Sequence, residues 1–136
     1  MLGQIAENYY LNEKLSCAQS IFLAANDVYK LSLTRQDAKL VSAFAGGIGS
    51  GHICGALAGA LSVMGRFYLT DERGNTPEFM EECKGFLKDF EAKLGGTMCG
   101  VLSPKYKNEE RRCADVVLIC GELLQEHLDA SVAKNR

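Results

Sequence analysis

Apolar side chains recur every three or four positions along most of the chain, and no stretch sustains a two-residue alternation. That spacing lays a hydrophobic stripe along a helix. In "LSCAQSIFLAANDVYKLS", Ile21, Ala24, Ala25, Val28 and Leu31 share a face, with Asn26, Asp27 and Lys30 largely opposite. Ser16 and Gln19 read as a capping box that starts this helix at Cys17. "TRQDAKLVSAF" predicts a short helix from Thr34 that stops at Gly46-Gly47. A further helix is expected from about Gly51 to Leu69, carrying Ile53, Leu57, Ala60, Leu61 and Met64. "TDERGN" is a turn.

Thr76 as N-cap, Pro77 at the first helical position and acids in the first turn open the next helix. Its stripe is Phe79, Cys83, Phe86, Leu87, Phe90 and Leu94, and Gly95-Gly96 end it. "TMCGVLSPKYK" predicts one or two helical turns from Thr97, broken before Pro104. Asn108 is the expected cap of a long last helix with Val116, Val117, Ile119, Cys120, Leu123, Leu124 and His127 near one face. The expectation is an all-α fold, a single domain over residues 1–136. It is a bundle of about five helices with a Gly-rich loop before a buried central helix.

The 136 residues suit one core, and 47% hydrophobic with 24% charged residues is an ordinary globular mix. Fifteen basic and 17 acidic residues are interspersed, so no basic stripe offers itself to a phosphate backbone and nucleic acid is not an expected partner. "ERR", Glu110 to Arg112, reads as a solvated helix face. The N-terminal "MLGQIAENYYLNEK" has neither a basic nor an apolar signal region, so a cytoplasmic protein is expected. Six cysteines in a reducing compartment need an account other than structural disulfides: packing, metal or redox chemistry.

"GGIGSGHICGALAGALSVMG", Gly46 to Gly65, holds seven glycines and one cysteine. It lacks the lysine of a Walker loop and the spacing of a dinucleotide fingerprint, although glycines before a helix can hold an anion on free N–H groups. From Leu40 to Gly65 there is no Asp, Glu, Lys or Arg, long enough for a membrane span. Gly46 to Gly51 would be a poor helix interior, and aromatic belts and paired basic flanks are missing, so a span is not expected. The remaining reading makes the glycines a backbone device. Gly46 to Gly51 turn the chain, and Gly55 and Gly59 let a neighbouring helix approach. Cys54 then falls in a first helical turn, where the helix dipole favours thiolate.

Cysteines 17, 54, 83, 99, 113 and 120 contain no C-x-x-C. That removes the thioredoxin motif and the usual zinc ribbons. Cys17, Cys54 and Cys99 are expected near helix N-termini, with Cys113 in the first or second turn after Asn108. Cys83 and Cys120 read as packing residues. His52, two residues before Cys54, is a candidate base, or a cap on a backbone carbonyl. His127 reads as structural or solvent-facing.

"SCAQSIFLA", "GHICGALAGALSVMG", "MCGVL" and "RRCADVVLIC" resemble the C_GCAxxG_C_C family of redox-active proteins, from about Leu15 to Leu124. The named cysteines fall on Cys17, Cys54 within C-G-A-x-x-G (Cys54, Gly55, Ala56, Gly59), Cys99 and Cys113. The chain departs from the pattern where His52 and Ile53 separate Gly51 from Cys54. The resemblance implies an all-helical fold and a redox or metal role. Cys54 is then the expected nucleophile, with Cys17, Cys99 or Cys113 resolving it and His52 assisting. Gly51, Gly55 and Gly59 are the candidate cofactor-contacting positions. The same four cysteines could instead ligate an iron–sulfur cluster, iron or zinc. A third reading is non-catalytic: a helical interaction or membrane-associated protein. The expected partner is an electron donor or acceptor, with self-association left open.

Overall fold

The computed structural model describes residues 1–134. Within them the chain is helical: α1 (Leu2–Leu11), α2 (Cys17–Tyr29), α3 (Arg35–Ala38), α4 (Gly55–Tyr68), α5 (Pro77–Leu94), α6 (Cys99–Tyr106) and α7 (Ala114–Lys134). A tighter 3₁₀ stretch, Lys39–Phe44, continues α3, and one wide π-type turn spans Gly47–Gly51. The all-α expectation holds, but there are seven α-helices rather than about five.

Capping residues set the helix ends that agree with expectation. Ser16 Oγ accepts the Gln19 N–H at 3.1 Å while Gln19 Oε1 accepts the Ser16 N–H at 3.2 Å, so the capping box fixes the start of α2. Thr76 caps α5 with Pro77 behind it, and Gly95 closes that helix in the left-handed conformation. The helix absent from the expected set is α1. Its Leu2, Ala6 and Tyr10, four residues apart, are all buried, and it lies chiefly against α7 and α2. The approach is close: a Cβ on Gly121 would stand 2.6 Å from the Gly3 Cα.

Helix α4 runs centrally, packing on α2, α5 and α7, and its residues from Gly55 to Ala60 are all buried. The buried side chains form one connected core that includes Ile21, Leu57, Met64, Phe86, Phe90, Val117 and Leu124. Leu87 is not part of it and is 39% exposed, although the α5 stripe includes it. Among the described residues no helix is long and apolar enough to cross a membrane.

Three boundaries differ from expectation. The central helix starts at Gly55, not Gly51, because Gly46, Gly47, Ile48 and Gly49 all take φ of 63° and reverse the chain first. Pro104 lies inside α6 rather than ending it. Both Pro104 and Gly100, whose carbonyl loses its helical partner, are exposed, so water can meet the freed group. Asn108 does not cap α7. It forms a bridge with Arg112, their backbones exchanging bonds of 3.1 and 2.7 Å, and α7 begins only at Ala114.

Candidate functional site: a four-cysteine cavity

Cys17 is the first residue of α2, set by the Ser16 capping box. Cys54 is the N-cap of α4 and Cys99 the first residue of α6. Cys113 immediately precedes α7. All four, taken from four separate segments, line one cavity of about 330 Å³. Cys83 and Cys120 do not. Cys120 is fully buried in the core, and Cys83 is half-buried on α5.

Two backbone devices bring the four together. The first is a short antiparallel bridge between Ile53 and Met98. The Cys54 N–H donates to the Thr97 carbonyl at 2.8 Å, and the Cys99 N–H donates to the His52 carbonyl at 2.6 Å. These bonds clamp the start of α4 to the start of α6. The left-handed turn permits it. A Cβ on Gly47 would fall 2.6 Å from both the Cys99 Cβ and the His52 oxygen, so only glycine fits there. The second device is the α2–α4 crossing. A Cβ on Gly55 would stand 2.4 Å from Cys17 Sγ, and one on Gly59 would stand 2.6 Å from the Ala18 oxygen.

These contacts define what the candidate glycines do. Gly55 lines the cavity and makes room for the Cys17 sulfur. Gly59 packs on the α2 backbone, and Gly51 faces Gly100 across α6; neither lines the cavity. All three stand where the chain packs closely on a neighbouring segment. His52 is exposed and also outside the cavity, and it contributes its backbone carbonyl to Cys99 rather than a ring to Cys54. His127 lies elsewhere, with Nε2 2.9 Å from a Glu82 carboxylate oxygen.

The thiols do not titrate as the helix dipole alone suggests. Burial pushes Cys17 up to about 12, reinforced by the neighbouring Cys54 thiol and opposed by the Ala18 N–H. Cys17 retains some accessible surface, but its sulfur points inward against Gly55, so it titrates as a buried group. Burial also raises Cys54, which is only 6% exposed, although the Leu57 and Ala56 N–H groups at the helix start pull the other way. The expected lowering of Cys54 is therefore reversed: desolvation outweighs the helix terminus. Cys113 is raised by burial too, but Lys107, Arg112 and a hydrogen bond from Tyr10 all oppose that rise.

The cavity contains groups that the sequence pattern did not single out: Tyr10, Lys14, Lys107 and Arg112. The Tyr10 hydroxyl accepts the Cys113 N–H at 3.1 Å across 103 positions of sequence. Arg112 is not on a solvated helix face. It sits in the turn before α7 and donates to the Tyr10 carbonyl at 2.8 Å, its guanidinium 4.2 Å from the Tyr10 ring centre. The four-residue spacing of Leu2, Ala6 and Tyr10 could have placed Tyr10 on a buried face. Nothing local could have paired it with Cys113.

A metal would need three or four donors converging on one point. No three His, Cys, Asp or Glu side chains among the described residues stand close enough together to hold one. The four thiols share a cavity without forming a ligand cage.

A family model described as "Putative redox-active protein (C_GCAxxG_C_C)" matches residues 15–127. The chain belongs to the C_GCAxxG_C_C family. An uncharacterized protein of Archaeoglobus fulgidus is similar, 31% identical over 121 aligned residues that cover 79% of this chain and 80% of the relative. No solved structure matches. Cys17, Cys54, Cys99 and Cys113 all fall within the matched residues and line the cavity, while Cys83 and Cys120, also within them, do not.

Proposed function

We propose that this is a thiol redox protein that reduces a disulfide by exchange within the four-cysteine cavity. The observation that carries this reading is the gathering of Cys17, Cys54, Cys99 and Cys113 around one space, all with free thiols. Family membership supports redox chemistry in general terms.

The first attack falls to Cys113 rather than to Cys54. Exchange needs a thiolate with access to the substrate. Burial raises both thiols, but Cys54 is only 6% exposed, whereas Cys113 is half-buried and has Lys107, Arg112 and the Tyr10 hydroxyl opposing the rise. The hydroxyl already accepts the Cys113 N–H, so its own proton is free to point at the sulfur. Attack by Cys113 on a disulfide R–S–S–R forms a mixed disulfide and releases one R–S⁻, which takes up a proton. A second cavity thiol then attacks the Cys113 sulfur, loses its proton and expels the second R–S⁻. Two protein thiols have become one disulfide, and one substrate disulfide has become two thiols. Cys17 and Cys54, adjacent across Gly55, are the inner pair to which the disulfide can pass by further exchange.

The test is thiol counting and disulfide mapping by mass spectrometry after one equivalent of a mild disulfide oxidant. Loss of two thiols, with a bond between two of the four cavity cysteines, is the expected result. Four free, unreactive cavity thiols would exclude the mechanism.

A further inference from the structure

The charge around the cavity does not follow the charge of the chain. Acidic residues outnumber basic ones, 17 to 15. Yet Lys14, Lys107 and Arg112 all line the cavity, and no Asp or Glu does. Arg111 shows the contrast: it is paired with Glu7 and with Asp115. Arg112, one residue on, has no carboxylate partner among the described residues, and neither lysine has one. Two of the three cations are also held on costly backbone. Lys14 has φ of 58° and Arg112 φ of 53°, a region that non-glycine residues avoid. The Asn108–Arg112 bridge and the Tyr10 contacts hold Arg112 there.

We propose that the cavity selects small disulfides that carry negative charge near the sulfurs, a reading that rests on thiol exchange at the four cysteines. Unpaired cations at the mouth of a low-dielectric cavity raise the local concentration of an anion and orient it. About 330 Å³ is the size of a small-ligand pocket, not of a groove for a folded partner. Two of these charges, Lys107 and Arg112, also favour the Cys113 thiolate, so substrate and nucleophile share part of one field. The overall change is one anionic disulfide and two protein thiols giving two anionic thiols and one protein disulfide. A dithiol reductant then returns the protein to its starting state.

The test uses three probes with the reduced protein: dithiodiglycolate (anionic), hydroxyethyl disulfide (neutral) and cystamine (cationic). Each rate of protein oxidation is divided by the same probe's rate with free mercaptoethanol, which removes the intrinsic leaving-group difference. The anionic probe should be favoured over the cationic one by about tenfold or more at low salt. The preference should shrink with salt and shrink severalfold in the K14Q/K107Q double variant, which leaves Arg112 and its Tyr10 contacts intact. Equal normalised rates, or a preference undiminished in the double variant, would overturn the charge selection and leave exchange standing. A protein disulfide, such as those of insulin, reduced faster than all three probes would overturn the small-substrate class. No oxidation by any disulfide would remove exchange and this inference together.

Discussion

Cys17 Sγ occupies the space that a side chain on Gly55 would need: a Cβ there would lie 2.4 Å from the sulfur and 2.9 Å from the Phe44 oxygen. One missing methyl group thus seats the inner thiol beside Cys54. Gly55→Ala should force the sulfur or the α2–α4 crossing to shift, at a cost of about 1–3 kcal/mol. Denaturant unfolding checks the stability. Alkylation of Cys17 should become faster in the variant, because a displaced sulfur gains solvent. Unchanged stability and unchanged Cys17 reactivity would remove Gly55 as the device that seats it.

Gly59 and Gly85 make a controlled pair. A Cβ on Gly59 meets the backbone of Ala18, with oxygen at 2.6 Å and Cα at 2.9 Å, and a backbone cannot swing aside as a side chain can. Gly85, inside α5, has nothing within 4 Å. Gly59→Ala should therefore destabilise by at least as much as Gly55→Ala. Gly85→Ala should stabilise by about 0.5–1 kcal/mol, through helix propensity alone. Opposite signs for the same substitution, read as shifts in denaturant midpoint, would show that α4 glycines act by close approach.

The fold was largely legible because its helices announce themselves locally. Ser16–Gln19, Thr76–Pro77 and Gly95 act within a few residues of the boundaries they set, and short-range rules reach that far. The four cavity cysteines were legible by type and by their places near element starts. Their convergence was not, because it depends on the Ile53–Met98 bridge and the Gly55 contact, which join segments far apart in sequence. The thiol environment misled for a physical reason. A helix start is visible in the sequence and pulls a thiol pKa down, but the depth of burial at Cys54 is a property of the packed α2, α4 and α7, and it is the larger effect. The cations were missed because Lys14 and Arg112 lie in turns whose left-handed backbone no periodicity reveals.

The raised Cys17 thiol has a pH signature with a definite sign. In the unfolded chain it titrates near the ordinary 9.0, and in the folded protein near 12. Between those values the folded state holds a proton that the unfolded state has lost. The contribution is complete below about pH 9 and is lost as pH rises towards 12, so stability must fall over that window. Denaturant midpoints measured under reducing conditions from pH 8 upward should fall more steeply in the native protein than in Cys17→Ala, by the proton that Cys17 retains. Identical slopes would mean that Cys17 titrates normally. Iodoacetamide should also modify Cys113 ahead of Cys17 and Cys120, since burial raises all three thiols but only at Cys113 do two cations and a tyrosine hydroxyl oppose it.

Tyr10 ties α1 to the start of α7 and touches the proposed attacking residue, so its two contributions can be separated. Its hydroxyl accepts the Cys113 N–H at 3.1 Å, and its proton favours the Cys113 thiolate. Tyr10→Phe keeps the ring, and so keeps the Arg112 stacking and the packing of a residue only 7% exposed. It leaves one N–H without its partner, which should cost about 1–3 kcal/mol. It also withdraws a hydrogen bond to the thiolate, so the pH midpoint for Cys113 alkylation should move up and the neutral-pH rate should fall. The saturating rate at high pH, where Cys113 is fully ionised in either protein, should stay near the native value. A rate loss of the same factor at every pH would assign Tyr10 to cavity shape. A loss confined to pH below the midpoint would assign it to thiolate stabilisation, the role that exchange at Cys113 requires.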